Sequence, residues 1–247
     1  MSDRFTLPGP ENFIGEGLDN YLERGFFRFK NILFTAFQIF LDNEQDPNQR
    51  GCFTAVFWLR TLLNGSLNSR SANKIRRKCA QFKVSYQPAQ ITPEIEDLYS
   101  LYREHINFEH YPTCRDCMLE DDQSINPFNS WMTTVHDGDE LIAVGYFDLG
   151  HTSSMAILNF YHPDYSKYSL GKFLMLKTMD YCKELGMLYY YPGYITIESD
   201  KMDYKIFPNP AAIEVFFAKA NEWRCMANYS KPDLDRYFKD FVEDFIF

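Results

Sequence analysis

The sequence has little of what membranes, secretion and metal centres demand. None of its 247 residues belongs to an apolar run of about 18, which excludes a membrane-spanning helix. No apolar stretch follows a basic start either, so no export signal is expected. Cysteine is sparse, with six residues at 52, 79, 114, 117, 182 and 225 and none before Cys52. A chain this long can build its own core without disulfide staples, so reduced thiols and a cytoplasmic protein are expected. Only Cys114-Arg-Asp-Cys117 has metal-ligand spacing. A closed zinc site takes four ligands, and only His105 and His110 stand near that pair. Surface thiols on a loop are the plainer reading, and no metal is expected.

Positive charge is also short. The 25 Lys and Arg residues against 34 Asp and Glu give a net charge of −9, which argues against attraction of the whole molecule to nucleic acid. The deficit is not uniform. Between Gly51 and Pro93 there is no acidic residue, while Arg60, Arg70, Lys74, Arg76, Arg77, Lys78 and Lys83 are all present. One basic segment therefore lies inside an acidic chain. Aromatics, by contrast, are plentiful: 23 Phe, 17 Tyr and 3 Trp make 17% of the chain, enough to fill a core and line a cleft. With 45% hydrophobic residues, disorder is excluded as the main state.

The pattern divides the chain into two unequal parts, 1–90 and 91–247, without internal repeats. In the first, Phe53 to Leu59 reads as a buried strand and Arg70 to Lys83 as a short basic helical segment. Thr92-Pro93 caps and opens a helix with Ile95, Leu98, Tyr102 and Ile106 on one face. Thr113 to Ser130 reads as a long surface loop. Then come a hairpin (Trp131 to Val135, a turn at Asp137-Gly138-Asp139, Glu140 to Phe147), a strand from Met155 to Tyr161, and a helix from Ser169 to Leu185. Leu174, Met175, Met179, Cys182 and Leu185 share one side of that helix, Gly186 ends it, and Leu188 to Ile197 returns as a strand. That order predicts an α+β fold: a mixed sheet of the N-acetyltransferase (GNAT) type flanked by helices, with a smaller amino-terminal α/β part. Near the end, Leu234, Tyr237, Phe238, Phe241, Val242 and Phe245 form a helix stripe that reads as a face docked on the core, with a dimer seam as the alternative.

Two stretches can carry chemistry. Ser169-Leu170-Gly171-Lys172 opens a helix, where free amides and the helix dipole favour an anion. One glycine is a weak phosphate motif, and from spacing alone Ser169 as a plain cap with Gly171 relieving a packing contact is the plainer reading. Downstream, strand alternation would send Tyr190 and Tyr194 to one face and Tyr189 and Tyr191 to the other. Lys201 and Lys205 among these aromatics are not core material; they suit a phosphate or carboxylate.

Phe160-Tyr-His-Pro163, Tyr168-Ser-Leu-Gly171, Tyr191-Pro-Gly-Tyr194 and Lys201-Met-Asp-Tyr-Lys205, followed by Pro208 to Pro210, together resemble the carboxyl-terminal half of the arginyl-tRNA protein transferases and their bacterial leucyl-transferring relatives. More faintly, Leu22 to Phe26 with Arg28, the Arg70 to Arg77 stretch and the helix around Leu98-Tyr-Ser-Leu-Tyr102 are similar to the first half of that family. The amino-terminal cysteine pairs common there have no counterpart before Cys52, so no metal cluster carries over. His162 stands where the family has Asp, and Glu198-Ser199 where many arginyl-transferring members have His-Ser-Cys.

The resemblance implies an acyltransferase that moves an amino acid, Arg or Leu, from aminoacyl-tRNA to the amino terminus of proteins beginning with acidic residues, tagging them as N-degrons. Aminoacyl-tRNA is the co-substrate, and no other cofactor or membrane partner is implied. It assigns Lys201 and Lys205 to the tRNA end or the acceptor carboxylate, Tyr194 and Tyr204 to stacking or positioning, and Glu198 to general base. It assigns Arg70, Lys74, Arg76, Arg77 and Lys78, with Ser169, Leu170, Gly171 and Lys172, to tRNA phosphates. For the basic segment a solvated helix face is the alternative. Two other functions stay open: an acetyl-CoA-dependent N-acetyltransferase, although its glycine-rich pyrophosphate loop is reduced here to one glycine, and a non-catalytic module binding tRNA or protein termini.

Overall fold

The computed structural model describes residues 13–41, 51–106, 110–119 and 126–246. In chain order the elements are α1 (Gly15–Glu23), β1 (Phe27–Phe29), β2 (Ile32–Phe34), β3 (Gln38–Leu41), β4 (Cys52–Leu62), α2 (Arg70–Lys78), β5 (Lys83–Pro88), α3 (Pro93–Arg103) and α4 (Cys114–Met118). They continue as β6 (Ser130–Asp137), β7 (Glu140–Leu149), β8 (Ser153–Tyr161), α5 (Leu170–Glu184), β9 (Tyr189–Thr196), β10 (Ile213–Phe217), β11 (Glu222–Cys225) and α6 (Lys231–Ile246). Among the described residues, no helix is long and apolar enough to cross a membrane.

One mixed sheet organises these elements in the order β11-β10-β4-β9-β8-β7-β6-β5, with β3 added beside β4. This is the expected GNAT-type α+β architecture. The sheet crosses the division expected near residue 90, because β4 lies between β9 and β10 and β5 closes the far edge. β1 and β2 form a separate hairpin. Only β8 and β9 run parallel, and α5 makes the crossover between them.

Local chemistry explains the helix ends. Thr92 accepts the Ile95 amide at 3.3 Å ahead of Pro93, and Gly186, at φ +79°, closes α5 as the Met187 amide reaches the Cys182 carbonyl at 3.0 Å. Leu174, Met175, Met179 and Cys182 are buried against the sheet, but Leu185 sits beyond the last turn and is exposed. Tyr190 joins the α5 side, while Tyr189 and Tyr191 pack with Trp58, Leu18 and Leu22 beneath α1. Leu234, Tyr237 and Phe238 of α6 dock on Phe57, Val215 and Phe217, and Phe241 meets Phe37 at 5.5 Å, so the described part of that stripe faces the core. The Phe245 side chain lies outside the described residues. The expected loop of surface thiols is instead partly helical: Thr113 forms a capping box with Asp116, Glu96 accepts the Cys114 and Arg115 amides, and Cys114 is fully buried.

Arg28 binds the amino-terminal hairpin to the sheet. Its guanidinium donates to both oxygens of Asp148 at 2.9 and 3.0 Å, to Ser130 at 2.9 Å and to the Met118 carbonyl at 2.7 Å, and it stacks over Phe128. Both charged side chains are wholly buried, so removing one strands the other in low dielectric. Arg28→Met is expected to destabilise the fold by about 3–5 kcal/mol, measured by urea unfolding, whereas the exposed-pair change Arg224→Met should cost less than about 1 kcal/mol.

Candidate active site

β8 and β9 pair only from Ser153–Met155 to Tyr189–Tyr191 and then part. Irregularities on both strands accompany the opening. β8 slips against β7 between Tyr146 and Phe147, and β9 slips against β4 between Leu59 and Thr61, inserting an extra residue near Pro192. Pro192 faces the gap without an N–H to waste, and Gly193 takes φ +105°, which side-chain-bearing residues rarely adopt. The gap holds a cavity of about 590 Å³ lined by β8 (Ala156 to Asn159, Tyr161), by Pro192, by Tyr99 and Tyr102 of α3, by the start of α5 and by the turn carrying Lys201 to Lys205.

Lys205 occupies the open edge of β9. A Cβ at Gly193 would lie 2.9 Å from its Nζ, so the glycine is what lets the lysine through. Nζ stands over the rings of Tyr194 at 4.7 Å and Tyr204 at 5.9 Å, and no carboxylate among the described residues pairs with it. Burial therefore pushes its pKa down to about 8. Lys201, Met202 and the half-exposed Tyr204 line the same cavity.

At the start of α5, Ser169 adopts a left-handed backbone and its side chain makes no cap hydrogen bond. The Phe173 amide is the first to reach back, to the Ser169 carbonyl at 3.1 Å, so the preceding amides keep the donor capacity of a helix start. Gly171 is not forced by packing: a Cβ there would meet only the Tyr161 ring at an ordinary 3.7 Å, in space that belongs to the cavity. Capping and packing relief thus do not explain this motif. Ser169, Gly171 and Lys172 line the cavity, and Leu170 is buried beneath it.

Other expected residues lie elsewhere. Tyr194 falls on the side of Tyr191, against Trp58 at 5.1 Å, because the extra residue in β9 reverses the alternation that would have paired it with Tyr190. Glu198, at the far end of β9, accepts a hydrogen bond from Thr54 and does not line the cavity. On α2, Arg70, Lys74 and Arg77 line an open basic groove with Ser69 and Ser71. Arg76 instead pairs with Asp180 of α5 at 2.8 Å, and Lys78 donates to the Lys167 carbonyl. Two cavity residues, Tyr99 and Asn159, have only indirect signatures: the tyrosine-rich helix for the first, and for the second Gly145, a lone glycine inside an apolar strand opposite it.

Residues 94–214 match the family described as arginine-tRNA-protein transferase, C terminus. Aspartate/glutamate leucyltransferase of Leptospira interrogans is 27% identical over 246 residues, covering 95% of this chain and 86% of that one. The enzyme of the same name from Helicobacter hepaticus is 28% identical over 188 residues, covering 74% and 73%. Together these matches support the arginyl- and leucyl-tRNA protein transferase family. The chain is accordingly an acyltransferase. Among solved structures, FemX covers 75% of this chain and 61% of its own at 11% identity, with a TM-score of 0.44. For this transferase-family chain the α2 groove is the exposed cationic surface to test. Lys74→Glu with Arg77→Glu should weaken tRNA binding and reduce the slope of log affinity against log salt by about one for each phosphate that is no longer neutralised. Filter binding across a salt series measures both, and Arg76→Gln should leave the slope unchanged.

Proposed function

We propose that the chain transfers leucine from leucyl-tRNA to the amino terminus of proteins that begin with Asp or Glu. The observation that carries this reading is the charge of the cavity: Lys172, Lys201 and Lys205 line it, and no carboxylate does among the described residues. Such a site suits anions, namely the 3′-terminal phosphates of tRNA and the acidic side chain of the acceptor. It does not suit an arginyl donor, whose guanidinium would need a carboxylate partner. Ile106, Ala156, Ile157, Leu158 and Met202 offer an aliphatic donor side chain an apolar wall. The aspartate/glutamate leucyltransferase activity for which the two relatives are named supports the same donor and acceptors.

The chemistry asked of the site is modest, because the ester is already activated. The acceptor amine, with an ordinary pKa near 8, must lose its proton, and the tetrahedral oxyanion must be stabilised. The amine attacks in its neutral form, and neutral Lys205 takes the proton it sheds on attack and returns it to the departing ribose oxygen of the tRNA. The amides at the start of α5 and along the open edge of β8 face the oxyanion or the 3′ phosphates. Glu198 has no part in this scheme, and Tyr194 and Tyr204 act by holding Lys205. The product carries a new amino-terminal leucine, an N-degron tag, and the setting is the cytoplasm, where charged tRNA is found.

The test is purified protein with Asp-, Glu- or Ala-starting peptides and leucyl-tRNA, arginyl-tRNA or labelled acetyl-CoA. Leucine transfer confined to the acidic peptides is expected, and transfer from arginyl-tRNA or acetyl-CoA instead would overturn the reading. The depressed pKa of Lys205 sets the pH dependence: its neutral, proton-accepting form dominates above about 8 and is lost as pH falls through that value. With the acceptor amine titrating in the same range, log kcat/KM below pH 8 should rise with a slope of about two. Lys205→Met should lower that slope to about one and the rate about 10²-fold.

A further inference from the structure

Asn159 has the environment of a ligand-binding group and no side-chain partner among the described residues. It lies on the stretch of β8 that has left β9, and it lines the cavity. Directly opposite on β7 is Gly145, where any Cβ would collide with the Asn159 side-chain oxygen; on the other side stands Leu174 of α5. The strand therefore gives up a side chain to let a carboxamide lie at this point. That carboxamide has two donors and an acceptor, yet it makes no hydrogen bond to any described residue. A half-buried amide left in this way costs stability unless something else completes it.

The rest of the cavity narrows what that something is. Phosphate and carboxylate already have Lys172 and Lys201, and Lys205 is the base. Tyr99 is committed to the Tyr111 carbonyl and Cys117. The remaining polar group of an aminoacyl ester is its own α-amino group, which needs a hydrogen-bond acceptor. It is repelled as a cation by the lysines, and among the described residues no carboxylate lines the cavity to hold it. A neutral carboxamide on the β8 wall, across the gap from Lys205 on the β9 wall, accepts a hydrogen bond from this amine without raising its pKa as a carboxylate would.

We propose that the Asn159 carboxamide binds the free α-amino group of the aminoacyl donor, with Gly145 as the residue that makes room for it. This rests on the transferase reading above and adds to it a source of discrimination between aminoacyl donors and plain acyl donors. Aliphatic walls alone cannot provide that, since they separate small apolar groups weakly.

The experiment compares leucyl-tRNA with N-acetyl-leucyl-tRNA as donors to a Glu-starting peptide. Wild type should prefer the free amine. Asn159→Ala should reduce that preference roughly tenfold, the factor set by one hydrogen bond of ordinary net worth, with the reduction falling on the leucyl donor. Gly145→Ala, which displaces the flexible carboxamide while leaving Asn159 in the chain, should do the same. Asn159→Asp should restore the preference and shift the pH profile to higher pH, because a carboxylate stabilises the protonated forms of the amine and of Lys205. Equal reduction on both donors, or an unchanged preference in Asn159→Ala and Gly145→Ala, would overturn the assignment of Asn159 while leaving leucine transfer intact. Absence of leucine transfer by wild type would overturn the transferase reading and this inference with it.

Discussion

The parting of β8 and β9 is the constraint on which the site depends. Two parallel strands hydrogen-bonded along their whole length would leave no room for a reactant and no backbone group to meet one. Here the ladder ends at Met155 and Tyr191, and both strands carry an irregularity against their other neighbours. The strands remain anchored on their outer sides, β8 by β7 and β9 by β4, so the gap is held open by a continuous sheet and not by a loop. Residues that look unrelated in the chain serve the same opening. Pro192 removes a donor from the free edge, Gly193 admits Lys205, and Gly145 admits Asn159.

Electrostatics follows from that geometry. A lysine in open solvent is a poor proton acceptor at neutral pH, but Lys205, buried with no carboxylate partner among the described residues, loses much of the preference for its charged form. In the proposed function the same absence favours anions in the cavity. At Arg28 the opposite solution is used: a buried cation is fully paired, with Asp148, Ser130 and the Met118 carbonyl all accepting from it. One arrangement holds the hairpin to the sheet, and the other, in the proposed function, keeps a base available.

Much of the fold was legible in the sequence because its signals are local. Thr92-Pro93, Gly186, the Asp137-Gly138-Asp139 turn and the apolar stripe of α5 each act within a few residues, and each marks an element where the structure has one. What the sequence concealed depends on partners distant in the chain. The face of Tyr194 is reversed by a register slip against β4, which no pattern within β9 reveals. Arg76 reads like its basic neighbours, but its carboxylate partner is Asp180, on a different helix. The division near residue 90 reflects composition, whereas strand order is decided by pairing, and β4 pairs with β9 and β10 from far along the chain. Lys201 and Lys205 could be singled out because lysines among tyrosines are anomalous. Asn159 could not, because its significance lies in the glycine across the strand.

Helix α5 also acts as a ruler. Its first turn borders the cavity, and Asp180, further along the same rod, holds Arg76 of α2. About 14 Å of helix separates Gly171 from Asp180 at 1.5 Å per residue. The interval between the reacting end and the basic groove is therefore set by a rigid element packed on the sheet along its length. In the proposed function, a tRNA whose terminus enters the gap would find the cations of α2 at an interval fixed by this helix and not by a flexible loop.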